Sequence, residues 1–126
     1  MGSIPSFKLR VVNKLPPEMD ISLLPGNSLL FSRFLPFNIM HVIHDDLLGV
    51  YFTLVEYFPS DDMEKEAYDL STRLVLADEH SAGAYVEILQ YLSNSPVLHH
   101  SELPYHLLTC YEVSILLLLL FLLHSN

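Results

Sequence analysis

A chain of 126 residues suits one small domain or a part of a larger one. Apolar residues make up 51% of it and its mean hydropathy is +0.34, which excludes a disordered polymer. Its formal charge of -9 argues against nucleic acid, and against an anionic membrane surface, because both partners need a basic patch.

The six Lys and Arg all lie at or before Arg73. A single cysteine, Cys110, excludes an internal disulfide framework. Lys8, Arg10, Asn13 and Lys14 interrupt any apolar leader, so no signal peptide is expected. Met1 to Ser6 fits only the loose myristoylation pattern.

Phe7 to Val12 reads as a short strand that Pro16-Pro17 ends. Pro25-Gly26-Asn27 is a turn signal. Ser28 to Phe34 reads as a buried strand, closed by Pro36. Asn38 is a good N-cap, since its side chain can accept from a free backbone N–H of the first turn. From there Ile39, Met40, Ile43, Leu47, Val50 and Leu54 recur at helical spacing, and His41, Asp45, Leu48 and Phe52 share a second face. The helix is apolar nearly all round and is expected to be buried. Gly49 weakens it by about 1 kcal/mol relative to Ala and marks a bend or a fresh start.

Pro59 to Asp62 ends that helix, and Asp61 to Asp69 reads as a solvated acidic loop. Arg73 to Ala77 looks like a buried strand, and Asp78 to Ser81 connects it to a helix over Ala82 to Leu92. Tyr85, Ile88, Leu89 and Leu92 share one face of that helix, and Asn94-Ser95-Pro96 stops it. Strands and helices in alternation predict an α/β fold with a parallel sheet. Such sheets take ligands at the carboxyl ends of their strands. His99-His100 reads as exposed loop and Cys110 as a small core residue. Ile115 to Leu123 is an unbroken apolar run, but a membrane helix needs about 20 residues. Extension back to Leu107 takes in Glu112, so membrane contact through this tail is weakly signalled.

The stretch Arg33 to Phe58 concentrates the chemistry. His41, His44, Asp45 and Asp46 stand among Ile, Met, Val, Leu and Phe, and burying such groups is costly without partners. Four readings compete. His41 and Asp45, spaced i,i+4, can pair as a structural network. An imidazole or carboxylate can act as general base or hold a substrate. Metal ligation lacks any supporting His-Glu-x-x-His or Cys/His spacing. Plain helix capping is the fourth. Arg33 could clamp an anion or a sugar, or serve as an ion-pair partner.

The runs Arg33-Phe34, Asn38-Ile39-Met40-His41, His44-Asp45-Asp46-Leu47-Leu48 and Tyr51-Phe52-Thr53-Leu54 resemble glycosyltransferase family 61. The likeness is strongest to members acting on protein O-linked mannose, and spans about Leu24 to Leu98. Members that modify EGF domains share the His-Asp-Asp pattern. The resemblance implies an inverting transfer of GlcNAc from UDP-GlcNAc to an O-mannosylated glycoprotein in the endoplasmic reticulum. It implies no separate cofactor and no metal. It also implies a GT-B fold, of which this chain would supply a truncated, partial Rossmann-like N-terminal lobe.

On that basis residues 1–27 are an extension, 28–108 the partial lobe and 109–126 a divergent apolar tail. His44, Asp45 and Asp46 become the candidate catalytic residues. Arg33, Asn38 and His41 become the candidate substrate-binding residues. The family has Pro where this chain has Gly49, its N-terminal membrane anchor is not visible, and the likeness fades after about Leu108. Without a donor-binding lobe the chain is expected not to transfer sugar alone. The rival expectations are an EGF-domain acceptor, or a non-catalytic truncated product that binds or misfolds.

Overall fold

The computed structural model describes residues 12–14, 18 and 20–117. Leu29 and Phe31 lie two apart, so they share one side of a pleated strand, and both are fully buried. They belong to β1 (Ile21–Phe31), the strand on which the fold is built. After it come α1 (Ile39–His41), a π-helical turn (Val42–Leu47) and α2 (Leu48–Tyr57). Then follow β2 (Arg73–Leu76), α3 (Val86–Gln90), β3 (Leu98–His99), a 3-10 turn (His100–Glu102) and β4 (Leu108–Leu117).

The four strands form one sheet in the order β3-β2-β1-β4, and every pairing is parallel. That order matches the first four strands of a doubly wound Rossmann sheet. The register sets Phe31 beside Leu76 and Leu117, and Leu76 beside His99. The carboxyl ends of all four strands therefore share one edge. Residues 100–107 join β3 to β4 without an α-helix, a shorter link than the dozen or more residues usual between parallel strands.

The core lies on one face of the sheet. Leu29, Phe31, Leu74 and Leu76 meet Val50 and Leu54 of α2, Leu89 of α3, and Phe58 and Tyr68 from the connection. Full burial of each such aliphatic side chain is worth roughly 1.5–3 kcal/mol.

The parallel α/β class and the Asn38 cap agree with the sequence reading. Several particulars differ. Pro25-Gly26-Asn27 is not a turn between elements but a bulge inside β1, where the β1–β4 register shifts between Leu24 and Asn27. Gly26 takes φ +79°, and its N–H donates to a Glu112 side-chain oxygen at 2.6 Å. The helical stretch is not buried all round: Met40 is 69% and Phe52 64% exposed. One sheet face can cover only one side of a helix. The predicted helix over 82–92 shortens to α3, and Tyr91 stands in solvent. His99 is a buried strand residue and not exposed loop.

The apolar tail does not stand apart throughout, since Leu108–Leu117 is the edge strand beside β1. Cys110 is half-buried within it. Residues 118–126, and 7–11 of the strand expected over Phe7 to Val12, lie outside the described residues. Among the described residues no helix is long and apolar enough to cross a membrane.

Candidate functional site

The chain leaves β1 at Phe31 and turns through Ser32–Phe37 to the helix cap. Asn38 sits in extended backbone, and its Oδ1 accepts from the Met40 N–H at 3.0 Å. One turn later the helix widens. The Leu48 N–H bonds to Ile43 O, five residues back, and Val42–Leu47 forms a π turn. Such turns are rare, and they are frequent at functional sites. More residues per turn means less rotation per residue. Consecutive Asp45 and Asp46 can then both face inward, and both are buried.

Asp45 is the hub. Its Oδ2 lies 2.5 Å from His41 Nδ1, and its Oδ1 lies 3.0 Å from His44 Nδ1. An ionised carboxylate only accepts, so this geometry places a proton on Nδ1 of each imidazole. In the neutral rings the lone pair is then on Nε2. The His44 side chain is 75% exposed, against 35% for His41. The Phe34 ring meets His41 edge-on with centroids 5.2 Å apart, which restricts that ring.

Asp46 is different. It has no exposed surface, and neither carboxylate oxygen has a hydrogen-bond partner of ordinary geometry. Burial pushes its pKa up to about 7. The nearby Phe34 backbone and the Arg33 cation oppose that rise, while Asp45 and Asp78 reinforce it. Asp46 therefore influences the site from inside and does not present itself to a ligand.

Arg33 is 2% exposed and occupied on every side. Its Nε donates to Asp78 Oδ2 and its Nη2 to Asp78 Oδ1, each at 2.9 Å. Its Nη1 donates to Ala82 O at 2.6 Å, and Nη2 also to Ser81 O at 3.0 Å. Asp78 Oδ2 accepts the Arg33 backbone N–H as well. Burial alone would raise the Asp78 pKa, but the Arg33 bonds outweigh it and hold that carboxyl below its usual range. Arg33 thus fastens the loop after β2 to the end of β1.

The structure brings Arg33, His41, His44, Asp45 and Asp46 to the β1 carboxyl edge, with Asn38 at the start of the same helix. Sequence reasoning put Asp78 in the connection after the strand and took His99-His100 as exposed loop, without joining any of them to Arg33. His100 Nε2 donates to Asp78 O at 2.8 Å, and His99 Nε2 lies 3.8 Å from Asp78 Oδ1. The only signal for Asp78 was its place directly after a buried strand. Among the described residues no three His, Cys, Asp or Glu side chains converge to hold a metal ion.

No protein-family model matches the chain. Its relatives in sequence are glycosyltransferases, and the β1 edge with its His-Asp pair is the part of this fold where open α/β sheets take ligands. The particular relatives are named protein O-linked-mannose β-1,4-N-acetylglucosaminyltransferase 2. The Danio rerio protein is 35% identical over 91 residues, 71% of this chain and 14% of that protein. The Takifugu rubripes protein is 33% identical over the same length. The Gallus gallus protein is 35% identical over 79 residues, 63% of this chain and 12% of that protein. The chain spans about one seventh of the length of the first two. The chain is similar to these transferases over most of its own length, as its His-x-x-His-Asp-Asp-Leu-Leu run leads one to expect.

Proposed function

We propose that this chain supplies the acceptor-facing part of an inverting family 61 glycosyltransferase. In this reading the parallel sheet is part of the N-terminal lobe of a GT-B fold. The reaction moves GlcNAc from UDP-GlcNAc to protein O-linked mannose, in the endoplasmic reticulum. The sequence likeness to transferases of that name supports the reaction class. The observation that carries the site is the pairing of exposed His44 with buried Asp45 at the carboxyl edge of β1.

The acceptor hydroxyl gives its proton to His44 Nε2. Its oxygen bonds to the anomeric carbon of GlcNAc from the side opposite the diphosphate. The bond to UDP breaks, its electron pair leaves with the diphosphate, and the anomeric configuration inverts. Asp45 holds the imidazole in the tautomer this requires and stabilises the imidazolium that forms. His41 grips the other oxygen of Asp45, so the carboxylate is fixed from two sides. Asn38 caps the helix that carries all of them.

An O-mannosyl peptide titrated into isotopically labelled chain tests this. The His44 ring resonances should shift saturably, and His44→Ala should abolish binding while the Leu54 and Leu74 methyl signals stay in place. Binding that leaves His44 unmoved would sink the proposal.

A further inference from the structure

The turn Val42–Leu47 is closed by the Leu48 N–H on Ile43 O, so it holds one residue more than an α-helical turn. It also holds Asp46, which has no exposed surface and no hydrogen-bond partner on either carboxylate oxygen. A carboxyl group enclosed in this way is tolerable as the neutral acid. As the anion it is costly, because it is cut off from water and paired with nothing.

The charges around Asp46 give the anion little relief. Burial is the largest influence on it and favours the neutral acid. Asp45 on the same turn and Asp78 beyond β2 act in the same direction, while the Phe34 backbone and Arg33 beyond β1 act against it. Arg33 is already committed to both carboxylate oxygens of Asp78, so it does not serve as a counter-ion. His41 and His44 both bond to Asp45.

We propose that the π turn is a proton-gated latch, closed while Asp46 is a neutral acid and opened when Asp46 ionises, because leaving the turn is the anion's route to water. Opening breaks the bond from the Leu48 N–H to Ile43 O. The direction follows from where the proton is held. In the closed turn Asp46 keeps it up to about pH 7, and in water it releases it near the ordinary 3.8. Opening therefore becomes easier by up to about tenfold for each pH unit between about 4 and 7, and about a thousandfold in all. It also takes Asp45, the next residue, away from His44. The consequence for sugar transfer rests on the acceptor-site reading above; the latch itself does not.

Amide hydrogen exchange of the full chain from about pH 4 to 9, corrected for intrinsic exchange rates, tests the latch. The Leu48 amide should lose protection by up to about tenfold per pH unit and level off above about pH 7. The Ala77 amide, which donates to Phe31 O at 2.8 Å, reports on the sheet and should lose less. In Asp46→Asn the Leu48 protection should be independent of pH, although His41 and His44 remain. The comparison of Leu48 with Ala77 in the native chain decides the matter even if that variant folds poorly. Leu48 protection that is flat with pH, or that falls in step with Ala77 as the whole fold opens, overturns the proposal. An Asp46 carboxyl ¹³C shift that titrates near the ordinary carboxylate value overturns it too. No acceptor enters the experiment, so failure of the latch and failure of the acceptor site are separately visible.

Discussion

Arg33 and Asp78 close on each other across the ends of β1 and β2. The guanidinium meets both carboxylate oxygens at 2.9 Å, with less than a tenth of either residue exposed. The pair orients two loops at once, because Arg33 also holds the carbonyls of Ser81 and Ala82, and Asp78 accepts the His80 N–H.

Breaking this pair should be expensive, because a buried cation would lose its counter-ion. Asp78→Asn keeps the shape and is expected to cost about 3–5 kcal/mol in urea unfolding. A loss below about 1 kcal/mol would mean that the pair behaves as a screened surface contact.

Asp46 sets a pH dependence of the opposite sense to that of a paired carboxylate. Its folded pKa of about 7 lies above the ordinary 3.8, so between those values the folded chain holds a proton that the unfolded chain has lost. Its contribution is complete below about pH 4 and is lost as the pH rises towards 7. Asp78, held low by Arg33, contributes above its unfolded pKa, and that contribution is lost as the pH falls through its folded one. From these two groups stability should therefore peak near about pH 4 and fall on either side. Asp46→Asn removes the falling limb and should gain about 2–4 kcal/mol at pH 8. Urea midpoints measured across that range decide it, and an unchanged slope in the variant would refute the assignment.

Asp45→Asn separates orientation from mere presence of the imidazole. In the native chain the ¹⁵N shifts of His44 should report a proton on Nδ1 and a lone pair on Nε2. In the variant the tautomers should mix, and affinity for the O-mannosyl peptide should fall about tenfold. His41→Gln should produce a smaller change in the same direction, since Asp45 then keeps one of its two grips.

Gly26→Ala tests the bulge in β1. No atom lies within 4 Å of a Cβ built there, so the cost comes from the backbone alone, at φ +79°. The expected loss is about 1 kcal/mol. A neutral result would show that the strand relaxes the bulge at no cost.

Period and punctuation made much of the fold legible. The Asn38 cap, the helical spacing from Ile39 to Leu54 and the β-rich run at Arg73 depend on local chemistry, and the structure has each. The His-Asp-Asp cluster was visible because charged groups in apolar company are rare. Other features were not visible. Pro25-Gly26 signals a turn in any local reading, yet here the same positive φ is absorbed as a bulge because β4 pairs on both sides of it. A doubled histidine reads as loop until β2 arrives beside it.

The amino-acid order by itself determined the α/β class, the helix that carries His41 to Asp46 and the likeness to O-mannose transferases. It also placed His41 within reach of Asp45, since a spacing of four along a helix is a local distance. Only the tertiary structure decided what each group does. The π turn points Asp46 inward and His44 outward, and the strand register brings Asp78, 45 residues away, against Arg33. Whether a carboxylate is a hub, a buried acid or a counter-ion depends on desolvation and neighbouring charge, and both arise only when distant segments pack together.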